Sequence, residues 1–341
     1  MYISNILLIL LINCYLCYCY QDCPNVITPN SDRRTDKNKL RLMQYNVEWL
    51  FIDYYKNADC PGNGCVWNNK TIAEKHVNQV ANIINKYNPD IINLSEVEGC
   101  NELNKLTQLL LPNDYNYYLL QGTDTSTGQN VGMITKIDPS IDLYRYNMTY
   151  NYPVMNSICD CNCSGSTSVS KHYITTLKIA NYDVAFISLH LLAYPDKNDR
   201  CSKREAQASI IQEIVFKYIN MNYEVMVVGD FNDYDPEILD LNNDVPMSQV
   251  LDIIRGKNNN LYYLNNLNTF ITKNERYTNW WDKNNDCQSS GDEFILIDHV
   301  LVTDKLLEIV ENVEIYHGYD EYCNTLNSDH YPIIVDFITK N

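Results

Sequence analysis

The sequence predicts an α/β protein, and three observations carry that expectation. Short apolar runs with strand-type patterning alternate along the chain with longer stretches of helical period. Residues 40–96 form a complete strand–loop–helix–strand unit. The apolar strands also end on polar side chains, and in α/β folds sites collect at strand ends.

Taken in order, residues 40–51 alternate well enough for a strand that ends at Asn46, and residues 53–69 form a loop rich in Asn, Gly and Cys. Thr71 and Glu74 have the spacing of a capping box. Behind them Ile72, Val77, Val80, Ile84 and Tyr87 keep helical spacing until Asn88-Pro89 stops the helix. Residues 90–95 are a buried-type strand that delivers Glu96 at its carboxyl end. A helix is expected over 101–111 and a strand over 131–137, with an irregular, Cys-bearing excursion over 138–169. Residues 171–178 and 182–189 pair about the turn Ala180-Asn181, and the second strand delivers His190. A helix over 202–219 carries Ala206, Ile210, Ile211 and Ile214 on its apolar side, and the strand 225–229 ends at Asp230 and Asn232. Residues 241–281 are expected to be loop-rich, 294–302 to be one strand, and 312–316 and 333–337 to close the chain. With no fixed-period repeat and no clean linker, one domain over 38–339 is the simplest parse.

The hydrophobic fraction of 45% and charged fraction of 20% fit a packed globular chain. A formal charge of −17 argues against a broad basic surface that neutralises many phosphates. It leaves room for a small phosphate site in which divalent cations supply the positive charge. Residues 1–19 contain an apolar block, Ile6 to Ile12, too short to span a bilayer and suited to the core of a secretory signal. No basic residue precedes it, so an uncleaved membrane anchor is the alternative; the expected location is secreted or the endomembrane lumen. Ten cysteines remain after this segment, an even number that reads as up to five disulfides in an oxidising compartment. The run Cys159-Asp-Cys161-Asn-Cys163 has the wrong spacing for a zinc knuckle, so disulfides are preferred there too. Sequons stand at Asn69, Asn147 and Asn162, whereas the one at Asn93 lies in an apolar run and is expected to be buried.

Asn46, Glu96, His190, Asp230 with Asn232, and Asp329 with His330 each sit at the end of an apolar strand. Asp298 lies among Ile, Leu and Val, where a buried acid must find a partner. Taken singly, each reads more readily as a cap, a turn former or a solvated loop residue. Six such placements along apolar strands point instead to one site. The residue types suit phosphate-ester hydrolysis, which needs a hard cation on oxygen ligands, an oriented water and donors for the phosphoryl oxygens. No Gly-x-Ser-x-Gly or Cys-His nucleophile pattern and no His-Glu-x-x-His zinc spacing is present.

The ordered motifs Gln44-Tyr-Asn46-Val-Glu48, Asn93-Leu-Ser-Glu96, Ser188-Leu-His190, Gly229-Asp230-Phe-Asn232, Ile297-Asp298-His-Val and Ser328-Asp329-His330-Tyr-Pro332 resemble the endonuclease/exonuclease/phosphatase superfamily. This deoxyribonuclease-I-like group also includes apurinic endonucleases, neutral sphingomyelinases and inositol polyphosphate phosphatases. The resemblance implies a four-layer α/β sandwich, two mixed β-sheets packed face to face with helices outside. It further implies metal ligation by Asn46, Glu48, Glu96 and Asp329, with Mg²⁺ expected and Mn²⁺ or Ca²⁺ as alternatives. Asp230 would align or activate the water, and Asn232 would hold a phosphoryl oxygen. Asp298 would orient His330, while His190 and Asn46 would reach the phosphate. Arg204-x-x-Gln207 resembles a supporting signature of many members. The phosphatase-branch signatures around the fourth and fifth motifs are absent. Gln129 and Asn130 are the candidates for a His190 partner. Trp280-Trp281 is expected to pack in the core or rim, with stacking on a substrate ring as the alternative.

The expected substrate is nucleic acid, DNA first, with a phospholipid head group or other small phosphoester as the alternative. A monomer without an integral-membrane partner is expected. A catalytically silent binding protein on the same scaffold is the reading from a different class.

Overall fold

Side-chain alternation along the strands determines how the layers stack. In β1 (Lys39–Leu50) Leu40 and Leu42 face one way, and Met43 and Tyr45 face the other. The computed structural model describes residues 23–54, 65, 67–257, 262–318 and 326–339, and the apolar block of residues 1–19 lies outside them. After β1 come α1 (Lys70–Tyr87), β2 (Ile91–Val97), α2 (Cys100–Gln108), β3 (Asn116–Leu119) and β4 (Asn130–Thr135). A small ribbon, β5 (Tyr150–Tyr152) with β6 (Gly165–Thr167), precedes β7 (His172–Ile179), β8 (Tyr182–His190), α3 (Asn198–Asn220) and β9 (Glu224–Asp230). The chain continues through α4 (Val250–Arg255), β10 (Asn265–Asn266), β11 (Asn279–Trp280), β12 (Phe294–Ile295) and β13 (Asp298–Val302). It closes with α5 (Asp304–Leu307), β14 (Val310–Ile315) and β15 (Ile333–Ile338).

Two mixed sheets result, a six-stranded one in the order β14-β15-β1-β2-β4-β3 and a five-stranded one in the order β10-β13-β9-β8-β7. Leu40, Leu42, Met133, Phe186, Met226, Val228 and Val335 meet between the sheets. Met43, Tyr45, Ile92 and Leu94 face outward onto Val77, Val80 and Ile84 of α1 and Leu103 and Leu106 of α2. On the other side Ile187, Val225 and Val227 pack against Ile210, Ile211 and Ile214 of α3 and Ile254 of α4. The order is therefore helix, sheet, sheet, helix, as the family resemblance implied.

Several local expectations are corrected. The cap of α1 is Asn69, whose side chain accepts from the Ile72 amide, so the Thr71/Glu74 box does not form. A side-chain acceptor two residues earlier already satisfies that orphan donor. Asn88 in the left-handed region ends the helix, its amide bonding Ile84 O, and Pro89 follows. Strand β1 does not end at Asn46 but runs to Leu50 through a register shift against β2. The stretch 294–302 is broken in two: Phe294 and Ile295 pair with β11, and only β13 joins the large sheet. The region 241–281 contains α4, and the excursion 138–169 contains the β5–β6 ribbon.

Disulfides join Cys23 to Cys100, Cys159 to Cys201 and Cys161 to Cys163. Asn69, Asn147 and Asn162 are exposed, and Asn93 is fully buried. Residues ahead of 38 also lie against the sandwich, where Asp32 bridges Ile137 and Arg33 pairs with Asp138.

Candidate active site

Strand direction gathers the polar ends. Strands β1 and β2 are parallel, as are β8 and β9, so their carboxyl ends fall at the same edge of their sheets. Strand β13 runs antiparallel to β9, with Asp298 opposite Asp230, and His190 stands opposite Asp230 from β8. Strand β15 runs antiparallel to β1, so the turn before it, with Asp329 and His330, enters at that edge too. Carboxyl ends of parallel strands and amino ends of antiparallel ones thus converge on one end of the sandwich.

A close contact there joins His330 Nδ1 to Asp298 Oδ2 at 2.7 Å. A carboxylate only accepts, so this nitrogen carries the proton and Nε2 is presented to the cleft. Asp298 is buried, its Oδ1 accepts from Gln44 Nε2 at 3.1 Å, and its amide donates to Thr278 Oγ1 at 3.0 Å. Gln44 is held in turn by Asn93 Nδ2 at 2.6 Å, and Asn93 Oδ1 accepts from the Tyr173 hydroxyl at 2.8 Å. A polar chain, Tyr173–Asn93–Gln44–Asp298–His330, therefore runs through the interior between the sheets.

In front of it lies Asn46, whose Nδ2 is 3.1 Å from Asp230 Oδ2, 3.4 Å from Glu96 Oε1 and 3.4 Å from His330 Nε2. Glu48 Oε2 accepts the Asp329 amide at 3.0 Å, and Glu96 Oε2 accepts the Trp49 amide at 3.1 Å. His190 Nε2 lies 3.5 Å from Asp230 Oδ2 and 3.9 Å from Glu96 Oε1. Its Nδ1 has no hydrogen-bond partner among the described residues. Gln129 accepts from Lys171 instead, and Asn130 donates to the carbonyls of Val97 and Glu98, so neither partners His190. The Asn232 backbone amide donates to Asp230 Oδ1 at 2.8 Å, and its side-chain Nδ2 donates to Leu191 O.

All nine candidate residues are thus brought together. Glu48, Glu96 and Asn232 keep this placement through backbone that departs from regular strand, whereas Asp298 opens the regular strand β13. Glu48, Glu96 and Asn232 all have positive φ, at 43°, 66° and 49°. Such values are uncommon outside glycine and belong to sites whose surroundings enforce them.

The electrostatics of the cluster are those of too many carboxylates in too little water. Burial, and then Asp298, pushes Asp230 up to about 7. Burial with Asp329 and Glu96 raises Glu48 well above the usual carboxylate range, and burial with Asp329 raises Glu96. Burial raises Asp329 too. For His330 burial pulls downward, but Asp298, Asp329 and Asp230 outweigh it and hold the imidazolium well above its ordinary value. His190 lies well below its own, through burial, Lys171 and His330. Packed carboxyls that cannot all ionise are a donor set for a divalent cation. Asp230, Asp298 and His330 also bring ligand-type atoms within 4.8 Å of one another. Asp298 is already committed there to His330 and Gln44, which leaves Asn46, Glu48, Glu96 and Asp329 as residues that could hold an ion.

Sequence reasoning missed Lys171, which pairs with Asp124 at 3.7 Å and whose charge reaches Glu96, Asp230 and His190. It also gave Gln44, Asn93 and Tyr173 no role. Their signal was present: Gln44 and Asn46 share the inward face of β1 with Leu40 and Leu42, and polar groups on such a face need partners.

The family model described as Endonuclease/Exonuclease/phosphatase matches residues 43–318. The chain belongs to this family. Its members are phosphoester hydrolases, nucleases and phosphatases among them. Solved structures with the same fold include an endonuclease/exonuclease/phosphatase from Bacteroides vulgatus, 18% identical, covering 87% of this chain and 98% of its own, with TM-score 0.55. The 3′ phosphatase NExo from Neisseria, solved with a product DNA hairpin, is 15% identical over 87% and 99% of the two chains, with TM-score 0.57. Truncated TDP2 from Caenorhabditis elegans is 17% identical over 88% and 97%, with TM-score 0.51. No curated protein sequence matches. Within the family fold, Arg204 and Gln207 are supports: Arg204 bonds Asp233 and three loop carbonyls, and Gln207 bonds Leu192 N and Ser168 O.

Proposed function

We propose that this chain is a secreted, Mg²⁺-dependent phosphodiesterase that hydrolyses nucleic acid, DNA above all. One observation carries the reading: an Asp298-held His330 presents Nε2 across Asn46 to the carboxylates Asp230, Glu96 and Asp329. Asn46, Glu48, Glu96 and Asp329 would hold the cation, with Mn²⁺ or Ca²⁺ as substitutes. When bound, the metal supplies charge neutralisation at the scissile phosphate.

The residues divide the remaining work. Asp230, pushed up to about 7, can take a proton from the attacking water at neutral pH. His330, kept protonated by Asp298, Asp329 and Asp230, donates from Nε2 to a phosphoryl oxygen as charge builds there. Neutral His190 and the Asn232 side chain supply further contacts to the phosphoryl group. The water oxygen bonds to phosphorus and gives its proton to Asp230, while the bond to the ester oxygen breaks and that oxygen leaves with its strand end, taking a proton from solvent. A DNA substrate agrees with the product DNA hairpin bound by the Neisseria relative.

The disulfides and the exposed sequons at Asn69, Asn147 and Asn162 agree with an oxidising, glycosylating compartment. Plasmid DNA, RNA and sphingomyelin vesicles incubated with the purified protein, with Mg²⁺ or with chelator, test the function. Nicking of plasmid that chelator abolishes is expected. Cleavage that survives chelation would reject the metal role, and lipid turnover without nicking would move the reading to the phospholipid alternative. Amino-terminal sequencing of the protein from culture medium tests secretion, with a start after residue 19 expected.

A further inference from the structure

Away from the strand-end cluster, the cysteine run Cys159, Cys161 and Cys163 meets another cysteine and a buried acid on α3. The bonded pair Cys159 and Cys201 joins the excursion before β7 to the opening turn of that helix. Cys161 lies against the same turn, its Sγ 3.0 Å from Ser202 Oγ. Glu205 follows Cys201 four residues later, so the two share one face of the helix. One ligand-type atom from each of Cys159, Cys201 and Glu205 falls within 4.8 Å of the others.

A disulfide by itself gives Glu205 nothing to do there. The residue is fully buried, and its Oε1 accepts the Gln249 amide at 2.9 Å. Its Oε2 is buried with no hydrogen-bond partner among the described residues. Burial raises the carboxyl, against the lowering pull of the Ser157 hydroxyl and of the Gln249 and Ile158 amides. A buried acceptor without a partner destabilises a fold, and two bonded sulfurs have neither a proton nor a positive charge to offer it. A cation shared by the sulfurs and the carboxylate would satisfy it.

The donor types select the ion. Thiolates with one carboxylate suit Zn²⁺, whereas Mg²⁺ and Ca²⁺ take oxygen ligands throughout. Cys201 stands in the first turn of a 23-residue helix, where the helix dipole favours a thiolate. The run Cys159 to Cys163 lacks zinc-knuckle spacing, and α3 supplies the ligands it lacks. Tetrahedral zinc keeps its sulfurs about 3.8 Å apart at a Zn–S distance of about 2.3 Å, so the bond between Cys159 and Cys201 must open first.

We propose that Cys159, Cys201 and Glu205, completed by Cys161, form a zinc site in the reduced chain, so that metal binding and disulfide closure are alternative fates of the same sulfurs. A dithiol opens each disulfide by giving two electrons and two protons, and is itself oxidised to a disulfide. Zn²⁺ then displaces the thiol protons, which pass to solvent. Either link ties the excursion to α3, whose Arg204 holds the loop after β8. The site shares no residue with the strand-end cluster and does not depend on the phosphodiesterase reading.

The test uses the full chain, reduced anaerobically with dithiothreitol, desalted and titrated with Co²⁺ in place of Zn²⁺, with excess Mg²⁺ to occupy oxygen sites. One equivalent of Co²⁺ is expected to bring in thiolate-to-cobalt charge-transfer absorption in the near ultraviolet. One equivalent of Zn²⁺ should remove it, and the oxidised chain should never show it. Glu205→Gln should weaken Co²⁺ binding on the order of a hundredfold, and Cys201→Ser should abolish the band. Reduction also opens the bond between Cys23 and Cys100, so alkylation by iodoacetamide, read by peptide mass spectrometry, locates the metal. Zn²⁺ should shield Cys159, Cys161 and Cys201 and leave Cys23 and Cys100 to react. Absence of the band in reduced wild type, equal shielding of Cys23 and Cys100, or a Co²⁺ affinity unchanged in Glu205→Gln overturns the site. A reduced chain that circular dichroism shows unfolded in the presence of Zn²⁺ overturns it as well.

Discussion

Asp298 has both carboxylate oxygens engaged by the protein itself, one by His330 and one by Gln44. Its position is therefore fixed from behind, and its role is to hold His330 rather than to meet substrate. Asp298→Asn keeps the shape but presents an amide where Nδ1–H needs an acceptor. It also removes a charge that sustains the imidazolium. A fall in kcat of roughly 10² to 10⁴ is expected, with little change in melting temperature. Near wild-type turnover would remove His330 from the mechanism. Gln44→Leu tests the polar chain one step further back. Losing a hydrogen bond to a charged group is worth about 1.5 kcal/mol, so kcat should drop about tenfold with KM held. A purely structural glutamine would instead change the melting temperature and leave kcat per folded molecule alone.

Helix α3 shows how an element can serve the site without entering it. Arg204 is fully buried and bonds Asp233, three residues beyond Asp230, as well as the carbonyls of the loop after β8. It therefore ties the ends of two neighbouring strands together. Arg204→Leu strands the buried Asp233 carboxylate, and a cost of about 3–5 kcal/mol is expected in urea unfolding. A change under about 1 kcal/mol would show that the clamp is dispensable. The elements also show what could be read from the sequence and what could not. The longer helices α1, α2 and α3 and the central strands were legible because period and apolar content agree there with the tertiary outcome, whereas the short α4 and α5 were not. The end of β1 was not, since Glu48 and Trp49 take positive φ, a choice enforced by contacts with Glu96 and Asp329 that lie far away in sequence. The break at Leu296 and Ile297 was hidden because both halves of 294–302 are apolar and nothing local marks the change of sheet. Asn46, Glu96, His190, Asp230 and His330 were legible as polar groups at the ends of apolar runs and Asp298 as an acid inside one that needs a partner, whereas Lys171 was not, because a lysine opening a strand looks like ordinary surface charge.

At the scale of the whole molecule, a chain of net charge −17 gathers buried carboxyl groups in a converging strand-end cluster, and this links folding to pH and, on the proposed function, to metal. Asp230 moves from an ordinary 3.8 up to about 7 on folding, and Glu48, Glu96 and Asp329 move the same way. A carboxyl whose value is raised by folding adds stability while protonated, fully below its unfolded value, and loses it as pH rises through the folded one. The buried histidines His76, His172, His190 and His299 act oppositely, since burial lowers each of them. Their contribution is lost as pH falls through the unfolded value of 6.5 and is constant above it. Between roughly pH 6.5 and 8.5 the raised carboxyls, Glu102 among them at about 8, and the raised His330 therefore govern the slope, all with the same sign. With chelator the melting temperature should fall across that window. A divalent cation competes with the protons for the same oxygens, so its stabilisation should grow with pH and flatten the curve. At a hundredfold excess over Kd the gain is about 2.7 kcal/mol. Calorimetric scans at both ends of the window, with Mg²⁺ and with chelator, measure it. A chelated melting temperature that rises with pH, or a Mg²⁺ shift of equal size at both ends, would mean that the carboxylate cluster is not where the cation binds.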